Sequence, residues 1–127
     1  MTKELVPHHH GNEQNIGFLK NQLSEINHFQ TVADIFRLLD DSSRIRIFWL
    51  LCHNEECVVN ISALVNMTSP AVSHHLRQLK SGGLIVSRRD GKEVYYKAAD
   101  TKESRLLHTM IEKLMAITCP EQPDGGK

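Results

Sequence analysis

Polar side chains occupy one face of a helix that the sequence predicts between Thr68 and Gly82. An apolar stripe recurs every three or four residues along the opposite face, so the segment is amphipathic. Arg and Gln can form paired hydrogen bonds with base edges, and Ser and His can donate or accept single ones. The spacing therefore favours readout of DNA bases. The residues assigned to base readout are Ser73, His74, Arg77 and Gln78.

The ends of this helix carry start and stop signals. Ser69 is a favoured N-cap residue, and Pro70 suits the first helical position, where its missing N–H costs nothing. Gly82 and Gly83 predict the helix end.

A short hairpin is predicted directly after the helix. The pair Asp90-Gly91 favours a type I′ turn, in which both central residues have positive φ. Counting outward from that turn places Arg88 opposite Glu93 and Ile85 opposite Tyr96, which are favourable cross-strand pairs.

The same register places two like charges opposite each other at the hairpin tip, Arg89 and Lys92. A nearby phosphate would relieve their repulsion, whereas a solvated tip is the plain alternative. With the helix start included, phosphate contacts are assigned to Thr68, Ser69, Arg88, Arg89 and Lys92, and Lys80 is also assigned to DNA binding.

The net charge is zero, but the charge is unevenly distributed. Residues 68–97 contain six Lys and Arg against two Asp and Glu, whereas residues 1–67 contain five against eight. A local basic face is what phosphate binding requires, so the neutral total does not oppose binding to nucleic acid.

The length of 127 residues suits one domain with tails. We expect a flexible N-terminal tail at 1–14, a winged helix-turn-helix dimer domain at 15–119 and a disordered C-terminal tail at 120–127. No apolar run approaches the ~18 residues of a membrane span, and no secretory signal is visible. Three cysteines without a CxxC pair favour a reducing cytoplasm.

The fold class expected is mainly α with a small β-hairpin. Asp41 or Ser42 is expected to cap a largely apolar core helix ending near residue 53, and Asn60 a short helix at 61–65. Asp100, with Glu103 three residues later, resembles a capping box that opens the last helix.

The last helix has a wide apolar face, which points to a second subunit. Leu107, Met110, Leu114 and Ile117 follow coiled-coil a and d spacing. We therefore expect the terminal helices of two copies to pack together in a two-fold dimer. The alternative is a last helix that packs only on its own domain.

Four segments resemble the ArsR/SmtB family of bacterial winged-helix repressors. The resemblance implies a homodimer that binds a palindromic double-stranded DNA operator and is released by an inducer, either a metal ion or a thiol-reactive sulfur or oxidant species. The segments are LLDDSSRIRI at 38–47, EECVVNISAL at 55–64, SPAVSHHLRQLK at 69–80 and RRDGKEVYY at 88–96.

The resemblance also implies sensor positions, and this chain departs from them. Family metal ligands at the last helix correspond here to Asp100, Lys102, Lys113 and Ala116. A protonated lysine has no free lone pair for a metal, so this site is interpreted as absent.

Two other sensors stay open, and with them the identity of any cofactor. Cys57 with His8, His9 and His10 could hold a zinc-like ion, or these could be a core thiol and a solvated tail. Alternatively, Cys52 and Cys119 could form a thiol sensor that needs no cofactor, or they could be a core residue and an exposed thiol.

An enzyme is not expected, because no nucleophile elbow or phosphate-binding glycine loop is visible. His28, His53 and His108 are isolated in the sequence and are interpreted as surface or core histidines. The alternative function is a winged-helix protein-interaction module that does not bind DNA.

Overall fold

A computed structural model describes His8 and residues 13–119. The chain divides into two compact units, Met1–Phe36 and Arg37–Lys127. The predicted C-terminal tail at 120–127 lies outside the described residues, as does the N-terminal tail except for His8 and the first helical positions from Glu13.

Two helices begin among the described residues of the first unit. Helix α1 spans Glu13–Leu23, and α2 spans Ile26–Leu38, ending just inside the second unit. Both are amphipathic, yet α2 has no buried residue. Their large apolar side chains are exposed: Phe18, Leu19, Leu23, Ile26, Phe29, Val32 and Phe36.

The described residues of the second unit form four further helices and one antiparallel sheet. The helices are α3 (Ser42–His53), α4 (Val58–Val65), α5 (Ser69–Ser81) and α6 (Lys102–Thr118). The strands are β1 (Glu56–Cys57), β2 (Ile85–Asp90) and β3 (Glu93–Ala98), in the order β1-β3-β2. The mainly helical fold class is confirmed, and β1 extends the predicted hairpin to three strands.

The core lies where α3, α4 and α5 pack together against the sheet. Helix α3 is central, as its composition predicts, and it buries Ile47, Phe48 and Leu51. Helix α5 buries the predicted stripe of Val72, Leu76 and Leu79. Burying one such side chain stabilises the fold by about 1.5–3 kcal/mol. Because this stripe faces the core, the opposite face of α5 is left for polar contacts.

Helix caps agree with the predictions at only one of four starts. Asp41 caps α3, and its carboxylate accepts a hydrogen bond from the Arg44 N–H at 3.0 Å. At the other three starts the N-cap residue differs from the prediction.

Two of these differences are one-residue shifts to threonine. Helix α5 begins at Ser69 after Thr68, whose hydroxyl accepts from the Ala71 N–H. Helix α6 is capped by Thr101, whose hydroxyl accepts from the Ser104 N–H, so the predicted Asp100 capping box is wrong.

The third difference concerns α4. The predicted Asn60 cap is wrong, because α4 begins at Val58, with Cys57 at the N-cap position. The side chain of Asn60 instead donates to the Glu56 carboxylate from within the helix.

The predicted hairpin register is wrong by two positions. Asp90 pairs with Glu93, Arg88 with Tyr95 and Ile85 with Ala98. The central turn residues are therefore Gly91 and Lys92, and only Gly91 has positive φ, at 66°. This suits a type II′ turn, which needs glycine at its first central position, whereas the type I′ turn would force Asp90 into the left-handed region.

None of the helices in the described part of the chain is long and apolar enough to span a membrane.

Candidate nucleic-acid interface

Helices α4 and α5 are joined by a tight turn. Asn66 adopts the left-handed conformation, with φ of 58°, and its N–H bonds to the carbonyl of Ser62. The next N–H, of Met67, bonds to the same carbonyl, and the Ser62 and Ser69 hydroxyls lie 3.2 Å apart. This turn sets the direction in which α5 leaves α4.

The outward face of α5 carries the residues predicted for base readout. The side chains of His74, Arg77 and Gln78 are exposed, while Ser73 is half-buried. Because the opposite face is buried in the core, rotation of the helix about its axis is prevented. The polar face is thus presented to solvent in one orientation.

The neighbouring His75 is turned toward α3. Its Nε2 lies 3.8 Å from a carboxylate oxygen of Asp41, and its Nδ1 is buried without a hydrogen-bond partner among the described residues. Burial lowers the pKa of His75, and the Asp41 charge opposes that shift. His75 therefore connects α5 to the start of α3.

Lys80 links the end of α5 to the wing, the hairpin formed by β2 and β3. Its ammonium donates a hydrogen bond to the Ser87 hydroxyl at 2.7 Å. The sequence predicts that Lys80 contacts DNA. The structure places its side chain between the helix and the wing, where it retains two further N–H donors.

Arg88 is likewise bound to groups of its own chain, although about half of its side chain is exposed. Its Nε and Nη2 donate to the two carboxylate oxygens of Glu55 at 2.8 and 2.9 Å. The guanidinium also lies over the Tyr95 ring, 5.0 Å from its centroid. Hydrogen bonding to Arg88 lowers the pKa of Glu55. The predicted pairing with Glu93 is therefore wrong, since Arg88 instead ties the wing to the segment before β1.

Arg89 and Lys92 remain as free cations at the wing tip. Both side chains are exposed, and neither forms an ion pair with any residue that the structure describes. Arg89 lies opposite Val94 and Lys92 lies in the turn, so the two do not face each other as predicted. Both side chains therefore remain available for contacts outside the chain.

The sensor residues implied at α6 do not form a metal site. Asp100 pairs with Arg105, and the corresponding positions Lys102, Lys113 and Ala116 offer no metal ligand at neutral pH. The donor set therefore does not fit the metal at this location.

Cys57 is a buried thiol at the start of α4. His8 is exposed, and His9 and His10 lie outside the described residues. Among the described residues, no group of three or more ligand side chains contains Cys57.

Cys52 and Cys119 are not neighbours within one chain. Cys52 lines a small cavity with Ser104, Arg105 and His108. Cys119 follows the end of α6, eleven residues beyond His108, or about 16 Å along a helix axis. A disulfide needs Cα atoms within about 7 Å. Burial also raises the pKa of Cys52 to about 11, which opposes thiolate formation. A thiol bridge within one chain is not supported.

The sequence-based interpretation missed a cluster of His53, His108 and Glu112. The Nε2 atoms of the two histidines lie 3.2 Å apart, and each lies 3.2–3.3 Å from Oε2 of Glu112. Trp49 donates its indole N–H to the same oxygen at 2.8 Å. This bond, followed by those from the histidines, lowers the pKa of Glu112.

A turn-linked helix pair followed by a basic hairpin defines a winged helix-turn-helix domain. Comparisons with known proteins agree with this class. Residues 41–87 match the model of the bacterial regulatory protein arsR family.

Two relatives and one solved structure extend the comparison. A transcriptional repressor SmtB homolog from Synechocystis is 34% identical over 73% of this chain and 70% of its own length. A cadmium resistance regulatory protein CadC homolog from Staphylococcus aureus is 32% identical over 84% and 88%. A homodimeric winged helix-turn-helix DNA-binding domain from Mycobacterium bovis superposes with a TM-score of 0.66 at 25% identity, over 81% of this chain and 93% of that one.

The chain belongs to the ArsR/SmtB family of transcriptional regulators. The predicted family is confirmed, and so is the prediction that the chain is not an enzyme, because the matched relatives are regulators.

Proposed function

We propose that this chain is a homodimeric transcriptional repressor that binds a palindromic DNA operator and is released by an inducer. The observation that carries the proposal is that two sets of donors are exposed on connected elements, the outward face of α5, with Arg77 and Gln78, and the wing tip, with Arg89 and Lys92. Lys80 connects α5 to the wing by its hydrogen bond to Ser87, and the four exposed side chains are defined here as the reading surface. Base edges and phosphates need these two kinds of donor.

The proposed base contacts come from Ser73, His74, Arg77 and Gln78, and the phosphate contacts from Thr68, Ser69, Arg89 and Lys92. Lys80 and Arg88 are reassigned in part. Their hydrogen bonds to Ser87 and Glu55 fix the wing relative to α5. Together these residues would set both the register and the sequence preference on the duplex.

Exposed apolar surface on α6 supports a homodimer. Leu106, Leu114, Met115 and Ile117 are exposed, whereas Leu107 of the predicted a/d set is buried within its own chain. Such a surface is rare on a soluble monomer and is typical of an interface. A two-fold dimer would space two reading helices about 34–36 Å apart, one turn of DNA.

Fluorescence anisotropy with labelled DNA from the protein's own promoter tests the proposal. We expect saturable binding of two chains per site, competed by unlabelled promoter DNA and not by scrambled DNA. Light scattering reports the oligomeric state in parallel. A monomer that does not bind the promoter at low ionic strength would contradict the proposal and favour the protein-interaction module.

For the inducer, we propose a metal ion rather than a thiol-reactive species. Cys119 lies about 16 Å along α6 from His108, which lines the cavity at Cys52, so a bridge within one chain has no support. Metal-ligating side chains do come together elsewhere.

A further inference from the structure

We propose that His53, His108 and Glu112 form a binding site for a zinc-like divalent ion at the junction of α3 and α6. His53 is the last residue of α3, and His108 and Glu112 are one turn apart on α6. The cluster is the only group of three potential ligands that the described residues bring together. It uses none of the positions that the family resemblance implies.

Protons cannot satisfy all three contacts in this cluster. Each neutral imidazole Nε2 carries either one hydrogen or one lone pair, directed in the ring plane. His53 Nε2 faces both His108 Nε2 and Glu112 Oε2, at 3.2 and 3.3 Å. His108 Nε2 likewise faces two partners. One hydrogen per ring cannot point at two acceptors, whereas one cation would attract all three atoms.

The spacing of the three atoms matches a tetrahedral site. The separations are 3.2, 3.2 and 3.3 Å, close to an equilateral triangle. Zinc–nitrogen bonds of about 2.0–2.1 Å in a tetrahedron place neighbouring ligand atoms about 3.3 Å apart. An octahedral ion with the same bonds would need about 2.9 Å. Two nitrogens and one carboxylate oxygen suit zinc, with the fourth position open to water.

Neighbouring groups hold the ligands in place. The indole N–H of Trp49 donates to Glu112 Oε2 at 2.8 Å, which orients the carboxylate. The His53 ring packs 4.4 Å from the Trp49 ring and meets His108 edge to face at 4.8 Å. Outer partners of this kind are usual in zinc sites and fix the ligand orientation. About half of the His53 and Glu112 side-chain surface is exposed, so an ion can enter from solvent.

The ion would act as a clip, that is, it would link α3 to α6, and these two helices have different roles. Helix α3 packs against the reading helix α5, whereas α6 presents the apolar surface assigned to the dimer. Fixing α6 on α3 would change the angle at which two reading surfaces meet DNA. This regulatory role rests on the proposed function. The binding of the ion itself does not.

Zinc affinity is measured first without DNA, by competition with a chromophoric chelator and by native mass spectrometry. The full-length chain carries His8→Gln, His9→Gln and His10→Gln, so that the N-terminal run cannot bind metal. We expect one zinc per chain in this background. His108→Gln and Glu112→Gln each remove a ligand and should weaken zinc binding more than tenfold. Removing even an outer partner of a ligand usually weakens metal binding by at least about tenfold.

The matched control is His28→Gln, which removes another exposed histidine close to a glutamate and should leave zinc affinity unchanged. Trp49→Phe retains every ligand and should weaken zinc roughly tenfold. Cobalt should give the intense visible absorption of a tetrahedral site. Unchanged zinc affinity in both His108→Gln and Glu112→Gln, with melting temperatures showing that they fold, would overturn the site.

Promoter binding then separates the site from its role. If the zinc-free protein binds its promoter and zinc alters that affinity by at least fivefold only when the cluster is intact, the clip is an effector site. If zinc binds the cluster without altering promoter affinity, the effector role fails. If the zinc-free protein does not bind its promoter, the proposed function fails, while the zinc measurement still decides the site.

Discussion

The guanidinium of Arg88 and the carboxylate of Glu55 form two parallel hydrogen bonds, at 2.8 and 2.9 Å, across 33 positions of sequence. Glu55 lies just before β1, and Arg88 lies in β2, on the far side of β3. The pair therefore spans the width of the three-stranded sheet. Its geometry fixes the wing and leaves Arg89, one residue further, as the cation that faces outward.

Glu55→Gln should destabilise the protein at neutral pH and much less in acid. Arg88 lowers the pKa of Glu55 below its ordinary value of 4.5, so the folded state takes up this proton less readily than the unfolded state. The stabilisation is therefore complete above about pH 4.5 and is lost as pH falls through the lower folded pKa. Urea unfolding between pH 7 and 3 measures the difference in unfolding free energy between the wild type and the variant. Glu56→Gln is the control. An equal difference for Glu55→Gln at pH 7 and pH 3 would contradict the prediction.

Arg89→Ala should weaken promoter binding and reduce the salt slope of log K by about one. The reason is that Arg89 is exposed without an ion-pair partner among the described residues. Lys113→Ala on α6 removes the same charge away from the reading surface and should leave the slope unchanged. Anisotropy titrations at several salt concentrations check both, and equal slopes for all three proteins would exclude a phosphate contact at Arg89.

Arg77→Ala should cost about 1–3 kcal/mol on the cognate site if its paired donors read a guanine. Binding to unrelated DNA should change much less, so the specificity ratio falls. Arg105→Ala, which removes an arginine paired with Asp100, serves as the control. Titrations on promoter and scrambled DNA measure the ratio. An unaltered ratio would remove Arg77 from base readout.

His75→Gln should reduce the loss of stability on mild acidification. Burial lowers the pKa of His75 below 6.5, so the unfolded state gains a proton first as pH falls. The wild type therefore loses stability from about pH 6.5 downward, until the folded pKa is passed. Unfolding free energies at pH 7 and 5 should differ less in the variant. His74→Gln, at the exposed neighbour, should behave as wild type; identical losses in all three proteins would refute the assignment.

Leu114→Glu should shift the protein toward monomer and weaken promoter binding at low protein concentration. Leu114 is exposed on α6, and a buried carboxylate at an apolar interface carries a desolvation cost. Light scattering across a concentration series measures the shift. Val59→Glu, at an exposed apolar position on α4, is the control and should dimerise normally. A wild-type dimer that is insensitive to Leu114→Glu would place the interface elsewhere.

The apolar periodicity was sufficient to predict the helices and the exposed face of α5. Val72, Leu76 and Leu79 are buried as their spacing predicts, which leaves Arg77 and Gln78 exposed. The apolar face of the last helix predicted a dimer, and the family resemblance added the palindromic operator, which no local pattern contains.

The turn signal Asp90-Gly91 led to the wrong predicted register for the wing. Asp-Gly is a strong signal for a type I′ turn, but one positive φ at Gly91 is enough for the turn that forms. The resulting shift moved Arg88 away from Glu93. Only the tertiary structure could show that its partner is Glu55, because no sequence period connects positions 33 residues apart.

The ligand cluster was equally hidden. His108 and Glu112 have the i, i+4 spacing of one helix face, which was a usable signal. His53 gave none, because its approach to them depends on how α3 crosses α6. Treating each histidine singly therefore missed a site formed by two elements.

Strand β1 is only two residues long, yet it pairs with β3 and runs directly into α4. The hairpin and the first helix of the helix-turn-helix are consequently fastened at Cys57, while Lys80 fastens the far end of α5 to Ser87. These two attachments restrict movement of the hairpin relative to α4 and α5. If the protein binds DNA as the proposed dimer, adjustment to a distorted groove would therefore come from bending of the duplex or from a change in the angle between the two copies.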